Sequence, residues 1–311
     1  MPLSSAEAFA PATIANIGVG FDILGMAVED IGDTVFAQLT ETPGVVIESI
    51  TGDGGRLPLK AEKNTAGVAA IEVLKRAGSP FGVSLRIHKG LPLASGLGSS
   101  AASAVAGAVA TNAALGNPLT RDELLAPALE GEALVSGYHA DNVAPALYGG
   151  ITLSYGVTAG QIVRLPSVAS MYLSLVTPNV EVETAKARAA LPAQVPLKSM
   201  VAQTAGVARL MHGIYTGDIA MIAAAMETDT IIEPARAFLM PLLAEARSTA
   251  KQHGALALVI SGAGPTLVAV SDNAQTAGDV CKALQALYDQ AGIGGVTRTS
   301  RILDSGAYVT L

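Results

Sequence analysis

Tryptophan is absent from this chain of 311 residues, all aromatics together make up 4% of it, and there is one cysteine, Cys281. So few rings offer no stacked platform for single-stranded nucleic acid. A lone cysteine excludes a disulfide framework and any cysteine-based zinc site, and it points to a reducing compartment; a cytoplasmic location is expected. Charge is also scarce. Only 14% of residues are charged, and 19 Lys+Arg against 26 Asp+Glu leave a net charge of −7. No basic field is available for nucleic-acid phosphates or anionic lipid, so neither is an expected partner. Met1–Thr13 carries neither a basic start with an apolar block nor an Arg-rich helix, so no leader is expected. The one long uncharged stretch, 90–120, is built from Gly, Ser, Ala, Asn and Pro, too weakly apolar for a membrane span.

What the chain has is small apolar residues. Half of it is hydrophobic and 33 residues are glycine, so the core must pack through Ala, Val, Leu and Ile with backbones close together. Strands are expected at 5–13, 34–41, 45–50 and 83–88, with Asn64 capping a helix that stops at Gly78-Ser79-Pro80. An Ala-rich helix to about Leu115, a helix over 121–137 and a strand pair over 151–165 follow. After a composition shift at Pro166 come a strand at 171–177, helices around 181–191, 198–216 and 235–252, and a strand-turn-strand-helix-strand ending near Ile302. The pattern predicts an α+β fold in two domains, 1–165 and 166–311.

The most informative segment is Pro92-Leu93-Ala94-Ser95-Gly96-Leu97-Gly98-Ser99-Ser100-Ala101-Ala102-Ser103. Glycines let backbone amides converge on a phosphate, and a helix starting just behind them adds the positive end of its dipole. Reading Gly96-x-Gly98-x-x-Ala101 as a dinucleotide fingerprint, for a nicotinamide oxidoreductase, is poorer. Residues intervene between strand and glycine, and the next acid, Asp122, lies beyond a helix. No Gly-Lys pair occurs, which removes the Lys-containing phosphate loop.

Asn16 and Asp22, among small residues in Pro11–Asp22, are either turn formers or ligands for a small polar substrate. Ser261-Gly262-Ala263-Gly264-Pro265-Thr266 reads as a hairpin turn. Between Glu130 and Pro145 lie Glu132, able to hold Mg²⁺ beside a phosphate loop, and His139, Asp141 and Asn142, read as one loop.

In this order and spacing, Pro11–Asp22, Pro92–Ser103 and Ser261–Thr266 resemble the three motifs of the GHMP kinases. Within that family the likeness is greatest to the homoserine kinases, through Pro11-Ala12-Thr13-Ile14-Ala15-Asn16, Ser136–Pro145, Thr184–Arg188 and Glu233-Pro234-Ala235-Arg236. The resemblance implies an S5-domain-2-like amino-terminal domain, a ferredoxin-like carboxyl-terminal domain, and transfer of the ATP γ-phosphate to the side-chain hydroxyl of L-homoserine. It places the triphosphate on residues 92–102, Asn64 and Lys89 near the adenine, and Mg²⁺ between Ser100 and Glu132, preferred over Glu130. It makes Asn16, Asp22, His139, Asp141, Thr184, Arg188 and Arg236 substrate residues, with Asp141 and Asn16 catalytic. Neither arginine has an obvious helical acid partner apart from Glu233 beside Arg236. The absence of a lysine from Pro11–Thr13 means that the lysine-assisted mechanism of mevalonate kinases cannot be copied. A homodimer is left open.

Overall fold

The computed structural model describes residues 4–311; Met1–Leu3, part of the segment expected to lack a leader, lie outside it. Two sheets form, each because alternating small apolar residues leave one face to bury. The first takes β1 (Ser5–Ala15), β2 (Leu24–Thr40), β3 (Val45–Thr51) and β4 (Gly82–His88). It is extended by β5 (Ile151–Ser154) and β6 (Ile162–Leu165) off β2, and by a short closing strand, β11 (Tyr308–Val309), paired with β1. The carboxyl-terminal end of the chain therefore returns to the first sheet.

Against that sheet pack α1 (Thr65–Arg76), α2 (Ser99–Ala114), α3 (Leu125–Ala133) and α4 (Ala140–Tyr148). Helix α2 is buried almost all round, which its alanines permit: they cost no side-chain entropy and let α1, α3 and the strands approach closely. Burying a helix without charges leaves its amino-terminal amides as its main polar feature.

The second sheet has the order β10-β7-β9-β8, from β7 (Tyr172–Pro178), β8 (Ala257–Ile260), β9 (Leu267–Ser271) and β10 (Gly295–Ser300), all antiparallel neighbours. Counted within this half the order is 4-1-3-2, the ferredoxin-like arrangement. Its helices are α5 (Thr184–Ala189), α6 (Leu197–Thr216), α7 (Ile219–Met226), α8 (Ile232–Arg236), α9 (Leu243–Gln252) and α10 (Ala274–Gln290).

Several elements differ from the sequence reading, three of them as follows. Strand β2 begins ten residues earlier than the expected 34, because its first half pairs with β1 and β5 rather than following its own alternation. The expected helix over 235–252 is two, broken at Leu242, whose φ of 58° follows Pro241. Asp141 and Asn142, expected in a loop with His139, lie in the first turn of α4, which His139 precedes in extended conformation. No helix is long and apolar enough to cross a membrane among the described residues.

Candidate functional site

Residues from the three motifs meet at one cavity of about 410 Å³, within the range of small-molecule sites. Backbone bonds fix the meeting. Thr13 N donates to Leu97 O (3.0 Å), Gly262 N to Ala15 O (3.2 Å) and Thr266 N to Ser95 O (3.1 Å), while Ser261 Oγ donates to Gly96 O (2.7 Å). What reads in sequence as a hairpin turn, 261–266, is thus the clamp on the glycine loop.

One wall is the amino terminus of α2. Its first amides have no intrahelical acceptor, and no side chain caps them. Gly98 precedes them with φ 65°, and a Cβ there would lie 2.0 Å from Thr13 Oγ1 and 2.8 Å from Asn142 Oδ1. Those two side chains hydrogen-bond each other at 2.7 Å. A side chain at Gly98 would push this pair into the loop. Gly98→Ala should therefore weaken MgATP binding at least about tenfold by calorimetry, in a chain that keeps its circular dichroism. Unchanged affinity would remove the loop from the nucleotide site.

Beneath the loop, Lys89 and Asp33 form a buried ion pair. The Lys89 ammonium also donates to Ser99 O (2.8 Å) and Ser103 Oγ (2.7 Å), and Asp33 accepts from the Gly90 and Leu91 amides (3.1 and 3.2 Å). Lys89, expected near the adenine, lines the cavity, and its three protons are used inside the fold, tying Asp33 to the start of α2. Asn64 likewise works locally. Its Oδ1 accepts from Ala66 N and Gly67 N, and its Nδ2 donates to Pro58 O (3.2 Å), so it starts α1 and fixes a cavity-lining proline. Of the loop residues, Leu93, Ala94, Ser95, Gly96, Gly98, Ser99 and Ser100 line the cavity. Leu97, Ala101 and Ala102 do not; they are core, and Pro92 is exposed.

Glu132 lies in the last turn of α3, buried, with Oε2 lacking any hydrogen-bond partner; the Ser95 and Ser99 hydroxyls are equally unpartnered. Burial pushes its carboxyl up to about 7, against the pull of the Ser100 and Ser136 hydroxyls and the Lys89 charge. Glu130 faces elsewhere and accepts from Tyr138 Oη at 2.7 Å. Buried polar atoms without partners are rare, and these line one cavity beside the glycine loop.

At the other end stand the remaining polar residues. Asn16, with φ 71°, donates from Nδ2 to Gly262 O (3.0 Å) and accepts the Asp22 amide at Oδ1 (3.1 Å). Asp22 forks to Arg188 (Nη1–Oδ2 3.0 Å, Nη2–Oδ1 2.9 Å), and His139 Nδ1 stands 3.6 Å from Asp22 Oδ2. Arg188 thus has an acid partner 166 positions away, which the sequence reading lacked. Its Nε is buried and unpaired. Buried Arg236 donates to Ala187 O (3.1 Å) and Gly262 O (3.0 Å), and Glu233 bonds Arg247 instead (2.7 Å). Thr184 is exposed on the cavity rim at the start of α5.

Asp141 projects from the first turn of α4, buried between these two ends. Burial, then the neighbouring charges of Asp22 and Glu132, push its carboxyl up to about 7, with Arg188 pulling it back. Pro145, inside this helix, has no N–H and so leaves Asp141 O without the usual helical bond. Gly25 packs against that carbonyl: a Cβ would come within 1.8 Å of it. The cavity therefore offers unpaired amides and hydroxyls, a carboxyl with one unpartnered oxygen, and a cluster of opposite charges beside a second carboxyl.

Known proteins share both the sequence and the shape. A family model described as the GHMP kinases N terminal domain matches residues 64–150, and one for the GHMP kinases C terminal matches 210–290. A homoserine kinase of Xanthomonas campestris pv. campestris is 40% identical over 309 residues, covering 99% of this chain and 92% of that protein. One from Arabidopsis thaliana is 42% identical, covering 97% and 84%. The crystal structure of a homoserine kinase from Cytophaga hutchinsonii superposes with a TM-score of 0.94 at 42% identity, over 98% and 97% of the two chains. A mevalonate kinase structure from L. major, at 19% identity and TM-score 0.71 over 98% and 99%, shares the fold. By sequence over its whole length and by fold, the chain belongs to the GHMP kinase family.

Proposed function

We propose that this chain is an ATP-dependent kinase that phosphorylates the side-chain hydroxyl of L-homoserine, giving O-phospho-L-homoserine for threonine biosynthesis. The observation that carries the reading is the pairing within one cavity of an uncapped helix terminus with a cluster of Asn16, Asp22, Arg188 and Arg236 around buried Asp141. A free amino acid brings a carboxylate and an ammonium; the arginines suit the first, and Asn16, Asp22 and His139 suit the second.

In the reaction the homoserine hydroxyl oxygen bonds to the γ-phosphorus as the bond to the β,γ-bridging oxygen breaks, releasing ADP. Asp141 accepts a hydrogen bond from that hydroxyl and takes up its proton as the P–O bond forms. A loose transition state asks mainly for positioning and charge stabilisation, so no strong base is required. The amides behind Gly98 cradle the triphosphate.

Mg²⁺ would be held by Glu132 and Ser100; when bound, it neutralises charge on the phosphates. The donor set fits, because this ion takes one or two carboxylates and completes its shell with phosphate and water. Among the described residues no group of three or more His, Cys, Asp or Glu forms a dedicated cage. Glu132→Gln should lower kcat about tenfold and raise the Mg²⁺ requirement, while Glu130→Gln changes neither, by steady-state titration of the metal. Equal effects of the two would remove Glu132 from the site.

The single, buried Cys281 suits a reducing compartment, and we place the enzyme in the cytoplasm. A direct test of the function is ³¹P NMR of a mixture with MgATP and homoserine. A new phosphomonoester coupled to a CH₂ group, appearing with ADP, is the expected result; ADP with free phosphate only would contradict it. A larger thermal shift with NAD(H) than with MgATP would instead favour the oxidoreductase reading of Gly96-x-Gly98.

A further inference from the structure

Phenylalanine is scarce here, with five in the chain, yet one of them lines the cavity. The Phe21 ring stands against two guanidinium groups at once, 5.6 Å from Arg188 Cζ and 5.1 Å from Arg236 Cζ. Both distances fall within cation–π range. These arginines repel each other, and one carboxylate, Asp22, is forked to only one of them. Arg236 is buried, with hydrogen bonds to two neutral carbonyls and no ion pair among the described residues. The charges of Asp22, Asp229 and Asp141 act on Arg236 without an ion pair to it, so the side-by-side guanidinium groups are held by more than a single fork before a substrate carboxylate arrives.

We propose that Phe21 is a positioning residue: its ring faces hold Arg188 and Arg236 in place as a preformed receptor for the carboxylate of the amino-acid substrate. The inference rests on the homoserine reading of the site. A ring offers negative potential without being a competing anion, so the arginines are steadied and remain free to pair with substrate. A carboxylate at position 21 would steady them too, but it would occupy the site it prepares. The backbone sets the ring there. Asn16 Oδ1 accepts the Asp22 amide, and Asn16 Nδ2 shares the Gly262 carbonyl with Arg236 Nη1, so one loop carries both the ring and the Asp22 fork.

The test separates ring electrostatics from mere bulk. Phe21→Leu should raise the homoserine KM about 5- to 30-fold, with a smaller change in kcat and none in the KM for ATP. Phenylalanines carrying one, two and three fluorines at position 21 keep the ring's size while weakening its face, and should raise KM in that order. In the ligand-free enzyme, the Arg236 Nε–H proton resonance should carry a ring-current shift that Phe21→Leu abolishes. A KM raised by leucine but indifferent to fluorination would mean the ring only fills space, and overturns the proposal. An Arg236 resonance unmoved by Phe21→Leu overturns it as well. If the wild type fails to phosphorylate homoserine, the functional reading falls on that result, and the resonance alone decides the placement of the ring.

Discussion

Asp141→Asn is expected to lower kcat about 10²- to 10⁴-fold while the KM for MgATP stays within about twofold. The amide can still hold the hydroxyl but cannot take its proton. The same substitution should stabilise the ligand-free fold at alkaline pH, because the native site resists the charge. In the folded chain the carboxyl titrates at about 7 instead of 3.8, chiefly through burial. A raised carboxyl pKa contributes stability that is fully present below the unfolded value and is lost as pH rises through the folded one. At pH 8 the wild type carries a buried carboxylate that asparagine lacks, so the variant should melt higher there. Near pH 4 the two should converge. Calorimetric melting at both pH values, with kcat/KM measured across pH 5–9, checks the pair of effects. Wild-type kcat/KM should fall as pH drops below about 7, since protonated Asp141 cannot accept a proton. A variant that loses activity and stability together would place Asp141 in the scaffold instead.

Removing Arg236 should act on substrate binding. Its loss from a carboxylate clamp takes away a charge-assisted bond of about 1.5–3 kcal/mol, or roughly tenfold to somewhat over a hundredfold in the homoserine KM. ATP affinity should barely move. Arg236 is the cleaner choice than Arg188, whose substitution would also free Asp22 from its fork. Because leucine at 236 leaves the Ala187 and Gly262 carbonyls without their donors, Arg236→Lys serves as a second variant that keeps a cation there. The decisive comparison uses 3-amino-1-propanol, which is homoserine without its carboxylate. It should be a poor substrate for the wild type yet lose little more with either variant. Full additivity of substrate truncation and arginine removal would mean that Arg236 acts elsewhere.

The glycine loop was legible as part of the candidate site because its features are local: glycines, hydroxyls and a helix start occupy one stretch, 95–100. Asn64 was legible as a helix cap for the same reason. The partners that tie the cavity together were not. Lys89 and Asp33 are 56 positions apart, Arg188 and Asp22 166 apart, and no periodicity links them. Glu130 and Glu132 differ by two positions on one helix, and only the packing of α3 against α1 and α2 decides which turns inward. Asp141 and Asn142 read as loop because Pro145 and a polar run argue against helix; tertiary contact with β2 overrides that preference. Helix α7 went unread because its near-continuous run of Ile, Ala and Met shows no polar face, and β11 because two residues carry no pattern.

The most direct test of substrate identity is ADP release measured side by side for homoserine, serine, galactose and mevalonate, compared as kcat/KM. Serine shares the amino-acid head but holds its hydroxyl one carbon closer to it, while galactose and mevalonate lack the ammonium that Asn16, Asp22 and His139 would meet. Homoserine should exceed each of the others by at least about a hundredfold. Equal or greater kcat/KM for mevalonate or galactose would contradict the assignment of the Asp22, Arg188 and Arg236 cluster to an amino-acid substrate.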